Sequence, residues 1–201
     1  MSGKFEEQGI AILGEPAKPV NGLEKFIGPG ATRPEIILQF GAALVASVAA
    51  IVYPLSAGFS WTWWQYAIVG ALALDMAGGI LTNATNSGKS WYHRASQTNA
   101  RHLIFIAIHI FQIGLVYGFF APNLWRQGVY LYAVLIILSI VILATPRYLQ
   151  RPVSLLCYIG AIMFYLYAIT PVEGMEWFVP AFFLKLLVSH LPYEICFRPT
   201  R

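Results

Sequence analysis

The sequence predicts an all-α integral membrane protein, a bundle of about six transmembrane helices with both termini in the cytosol. Three observations carry that expectation. Hydrophobic residues make up 58% of the 201-residue chain and charged residues only 11%. An ordinary soluble domain carries about 25% charged residues, so a surface this poor in charge has to face lipid. Six apolar runs of 18–23 residues follow one another at 36–56, 62–84, 102–121, 128–145, 153–170 and 175–195. Each is long enough for a core of about 30 Å at about 1.5 Å per residue. Finally, eleven of the thirteen Lys and Arg residues fall in segments that alternate onto one side, against Arg126 alone on the other. That asymmetry orients the chain with the cation-rich side inward.

Taken in order, residues 1–34 read as a cytosolic, mostly irregular tail, 35–195 as the transmembrane domain and 196–201 as a short cytosolic tail. The apolar stretch Ile10 to Leu13 is too short for a secretory signal, and Ser2 breaks the myristoylation pattern. Leu23, Phe26 and Ile27 share one helical face, which predicts a short interfacial helix. Pro54, Pro146, Pro152 and Pro171 lie near run ends, where a missing N–H does least harm. Pro180 and Pro192 fall within the last run and predict a bend. Trp61, Trp63, Trp64, Trp125 and Trp177 gather at the outer interface as part of an aromatic belt. Cys157 and Cys196 have neither metal-ligand spacing nor a disulfide framework. The cations follow topology rather than forming one patch, which argues against a nucleic-acid partner.

Few side chains remain to carry chemistry. Asp75, the one aspartate, lies inside the second run, where a charge costs about 2.5–3.5 kcal/mol on insertion scales. Asp75, Gly79, Thr82 and Asn86 share a face of that helix, bordered by Gly78, so the helix presents a polar, small-residue stripe. Lys185 in the sixth run lies at a matching depth and is the expected ion-pair partner, a pairing that would neutralise two buried charges even without a catalytic role. All four histidines, His93, His102, His109 and His190, lie toward the cytosolic side. His102 and His109 are seven apart and His190 and Glu194 four apart, each pair on one helix face. A divalent metal held by His102 or His109 with His190, Asp75 or Glu194 is one option for these groups, although no HxxxH or HExxH occurs. Hydrogen bonding to neighbours, or a place in the headgroup zone, is the structural alternative.

With this intramembrane Asp and several His, the residue inventory resembles the intramembrane metal hydrolases related to alkaline ceramidases and progestin-type receptors. The paired HxxxH of that family is missing here, and the resemblance assigns no residue roles.

The connection after the second run, Thr82 to Arg94, is the most distinctive stretch. Gly88-Lys89-Ser90 has the ending of a P-loop without its first glycine, and it follows a membrane helix rather than a strand, which argues against nucleotide binding. Lys89, Arg94 and Arg101 supply cations, Trp91 and Tyr92 sit at headgroup level, and Asn83, Asn86 and His93 add hydrogen-bonding groups. The set suits an anionic lipid or a phosphorylated lipophilic substrate, and equally an ordinary positive-inside loop. Two functions follow as expectations. In one, an intramembrane enzyme acts on a polyprenyl, terpenoid or acyl compound, with Asp75 and one of His102, His109 or His190 as acid and base and Lys185 beside them. In the other, Asp75, Lys185, His109 and His190 relay protons or ions in a small transporter. A non-catalytic assembly partner using the glycine face is a third. The polar groups gather in one half, which favours a pocket over a through-path.

Overall fold

The computed structural model describes residues 10–11 and 20–198. Lys4, Lys18, Arg201 and most of the amino-terminal tail lie outside the described residues. Among the described residues the regular structure is helical apart from one pair of two-residue strands. Helix α1 (Gly22–Ile27) precedes α2 (Arg33–Ser56), α3 (Trp63–Ala84) and the short α4 (Asn86–Tyr92). α5 (Asn99–Ile108) and α6 (Ile110–Phe119) form one interrupted span, followed by α7 (Trp125–Ala144) and α8 (Arg147–Ala168). α9 (Phe178–Phe183) runs directly into a π-helical segment, Leu184–His190. The strands β1 (Ile10–Ala11) and β2 (Phe197–Arg198) pair antiparallel, so both terminal segments meet at one end of the bundle.

The helix starts follow local chemistry. Asn21 with Glu24 and Thr32 with Glu35 form capping boxes, and Pro34 sits in the first turn of α2, where its missing N–H costs nothing. Thr62 with Gln65 opens α3 in the same way. A short helix forms where one was expected, α1, with Leu23 and Phe26 exposed and Ile27 buried.

Five helical spans are long and apolar enough to cross a membrane. The sixth run departs from expectation. Its helical part, Phe178–His190, has 13 residues, or about 20 Å at α-helical rise, short of a bilayer core. It lies at the centre of the molecule, with Phe178, Phe182, Phe183, Leu186 and Leu187 fully buried, whereas α2 is peripheral. Pro180 occupies the first turn of α9 and introduces no break, and Pro192 lies beyond the π segment. The irregularity expected from proline is instead the switch to i→i+5 bonding after Phe183. Further differences are local. Pro152 lies inside α8, and Arg147 and Arg151 sit in that helix's first turns rather than in a loop. The third span breaks at His109, where the backbone N–H turns to Ile106 O while Nδ1 of the ring bonds Phe105 O at 2.7 Å. The imidazole thus takes the acceptor that the helix would have used, and the turn is the consequence.

α2 and α3 pack through small residues. A Cβ on Gly78 would lie 3.2 Å from that of Ala43. At the end away from α4, Trp61 packs on Phe120 and Trp64 on Phe119, with ring centroids 5.0 and 5.3 Å apart.

Candidate functional site

At the α4 end a cavity of about 460 Å³ opens between α4, α5, α7, α8 and the segment after His190. Its lining includes Lys89, His93 and Arg94, as well as His102, Asn99, Arg147, Gln150, Tyr193 and Glu194. Three cations therefore face one carboxylate. Gly88 must remain glycine for α4 to turn here, because a Cβ would fall 1.9 Å from Thr82 O.

Behind this wall three imidazoles meet. The His102 and His190 rings are 5.0 Å apart between centroids and the His93 and His102 rings 4.7 Å. His190 Nδ1 lies 3.3 Å from Asn83 Oδ1, and His190 Nε2 lies 3.0 Å from His102 Nδ1. With the Asn83 amide oxygen accepting, His190 carries its proton on Nδ1 and accepts at Nε2 from the Nδ1–H of His102. Nε2 of His102 is then the free basic nitrogen, with no protein partner among the described residues. His93 Nε2–H donates to the His190 carbonyl at 2.7 Å, and Phe105 stacks on the His190 ring at 4.2 Å. The relay is held in one orientation from several sides.

The π segment explains how one short helix serves two polar groups. Residues 185 and 190 would diverge by about 140° on an α-helix, at 100° per residue. With i→i+5 bonding they stack on neighbouring turns. Lys185 thus reaches α3 and His190 reaches α3 and α5. Lys89 finishes this helix: its ammonium donates to Ser189 O and, at 3.2 Å, to Pro192 O, satisfying carbonyls that a helix end leaves open. Burial pushes Lys89 down to about 8, against the opposing pull of Glu194 and Cys196. Burial, then the neighbouring Lys89 and His102, pushes His93 down to about 3.

Asp75 and Lys185 form the expected ion pair, with Nζ 2.8 Å from each carboxylate oxygen. Gln112 Nε2 donates to Asp75 Oδ2 at 3.3 Å. Gly79 permits the pair, since a Cβ there would sit 2.4 Å from Lys185 Cε. His109 stands between the two groups, within electrostatic reach of both Asp75 and His190, but its Nδ1 is committed to Phe105.

Several expected contacts do not form. Glu194 pairs with Arg151 at 3.8 Å and not with His190, because the helix ends at His190 and the four-residue spacing loses its meaning. The stripe from Asp75 to Asn86 breaks at Thr85, where α3 stops; Thr82 donates to Gln39 and Asn86 is exposed at the start of α4. Trp91 lies under the Arg94 guanidinium, 3.7 Å from its centroid, and Tyr92 donates to the carbonyls of Lys25 and Phe26. Neither lines the cavity. Among the described residues no three His, Cys, Asp or Glu side chains converge as metal ligands, and His190 has both ring nitrogens engaged. The donor set does not fit a divalent ion. Arg147, Gln150 and Tyr193 join the site unforeseen, since only the fold brings α8 and the last segment against α4. Gln112 was legible as an isolated amide three residues after His109.

No family model, curated protein or solved structure matches this chain.

Proposed function

We propose that this chain is an intramembrane enzyme performing acid–base chemistry on an anionic, lipid-soluble substrate at its cytosolic end. The sixth segment passes through the bundle interior, so that both termini are cytosolic. The observation that carries this reading is the buried Asn83–His190–His102 relay ending at a cavity with three cations. In this reading His102 is the general base: Asn83 and His190 fix its tautomer, and Nε2 takes the proton of a water that attacks an ester of the substrate, then returns it to the ester oxygen as that bond breaks and the alcohol leaves. Lys89, Arg94 and Arg147 draw in the anionic head, a phosphorylated or carboxylated lipid, and offset charge that develops in the transition state. The Asp75–Lys185 pair is already neutralised and takes no part in the proton transfer, which also weighs against an Asp75 ion relay.

The test is turnover of a panel of anionic and zwitterionic lipids by the purified chain in nanodiscs, followed by mass spectrometry. An anionic lipid is expected to be consumed, and His102→Gln should slow that reaction about 10²- to 10⁴-fold, the usual contribution of a general base. Undiminished turnover in His102→Gln would remove the assignment.

A further inference from the structure

We propose that the chain holds a second ligand site, at mid-bilayer depth on its lipid-facing surface, where the Asp75 carboxylate, oriented by Gln112, takes the hydroxyl group of a lipid-soluble alcohol. Asp75 lies twelve residues from Trp63 and nine from Ala84 in α3, or about 18 and 14 Å from the helix ends. The ion pair at this depth is lopsided. The Lys185 side chain is 4% accessible, whereas that of Asp75 is 41% accessible. The ammonium is sealed inside and the carboxylate opens outward. Beside it, Gln112 gives its N–H to Asp75, and its Oε1 is buried with no hydrogen-bond partner. The unfilled valences of the niche are therefore acceptors.

The surroundings say what medium this niche meets. Leu74, next to Asp75, and Ile108 and Phe111, beside Gln112, are exposed at 48%, 52% and 73%. These are side chains for lipid, so the Asp75 carboxylate opens onto a hydrocarbon face, with Gln112 Oε1 buried behind it. Plain acyl chains would leave the exposed side of the carboxylate without a donor, which is costly for a charged group in hydrocarbon. A symmetric second copy would set carboxylate against carboxylate. A cation would meet an Asp75 already neutralised by Lys185. A neutral donor on an apolar body satisfies the niche without these penalties, and a hydroxyl is the simplest such group. Asn83 lies eight residues further along α3, about 12 Å away, so this site is separate from the cavity and does not rest on its catalytic reading.

The experiment measures saturable binding of radiolabelled 1-hexadecanol to the full chain in nanodiscs, with hexadecyl methyl ether, which lacks the donor, as comparison. Two variants are used: Gln112→Leu, which leaves the ion pair intact, and the neutral double change Asp75→Leu/Lys185→Leu. Hexadecanol is expected to bind at least tenfold tighter than the ether, and each variant should weaken the alcohol about tenfold while leaving the ether unchanged. His102→Gln should bind hexadecanol as the parent does. Equal binding of alcohol and ether, unchanged alcohol affinity in both variants, or a parallel loss in His102→Gln would overturn the proposal. Unfolding midpoints of the variants separate loss of the niche from loss of the fold.

Discussion

Asp75 and Lys185 show how one residue's cost is met by another's. Removing either partner alone leaves a charge without its counter-ion in a low-dielectric interior, which costs about 3–5 kcal/mol. Asp75→Leu and Lys185→Leu should each lower the unfolding midpoint sharply, while the double change restores most of the loss. A strictly additive result would mean that the 2.8 Å contacts contribute little. His93 gives a pH signature. Its imidazole is held at about 3 against an ordinary 6.5, so between these values the folded chain binds fewer protons than the unfolded one. The His93 contribution to stability is therefore complete above pH 6.5 and is lost as pH drops toward 3. His93→Gln should flatten that part of the midpoint-versus-pH curve. Lys89 acts with the same sign in a higher window, stability rising with pH between about 8 and 10.5.

At the scale of elements, α1 is tied to the helical bundle through its last carbonyls. Ile27 O accepts from Gln39 Nε2 and Ser87 Oγ, both at 3.3 Å, and Tyr92 OH donates to Lys25 O and Phe26 O. Gly28 has φ +89°, and a Cβ there would lie 2.3 Å from the Ser87 carbonyl carbon. Backbone meets backbone at this point, and only glycine allows it. Gly28→Ala should detach α1 from α4, seen as faster amide exchange in residues 20–32 and 86–93 with the α7 core unchanged. If exchange is unaltered, α1 is not the clamp that the contacts describe. Because α4 carries Lys89 and leads into His93, the same change should loosen the cavity wall.

The whole molecule is a shell of long helices around a short, buried one. That arrangement lets polar side chains on the central segment reach α3 and α5 without touching lipid. It also makes the crossing pattern testable. In a Cys157→Ala/Cys196→Ala background, Ala95→Cys and Ser60→Cys are both at exposed positions, one at each end of the bundle. A membrane-impermeant maleimide applied to sealed cells should label Ser60→Cys only, with Ala95→Cys labelled after lysis. Labelling of both from one side, or the reverse pattern, would contradict the orientation drawn from the cations.

Composition and the spacing of apolar runs were enough to determine a helical fold with spans apolar enough for a membrane, because hydrocarbon leaves the backbone no alternative to internal hydrogen bonds. The Asp75–Lys185 pair was legible too, since two isolated charges at one depth have little choice but each other. The capping boxes at Thr32 and Thr62 are local as well, each set by residues three apart. What lay beyond a linear reading was long-range or set by backbone geometry. The π segment reorients Lys185 and His190, and periodicity assumes 3.6 residues per turn. His102 and His190 are 88 positions apart, and their 3.0 Å contact exists only because α5 packs beside the central helix. Arg147 and Tyr193 enter the cavity for the same reason. Hydrophobicity is a property that each residue carries along the chain, whereas a site is a set of distances between residues that only packing brings together.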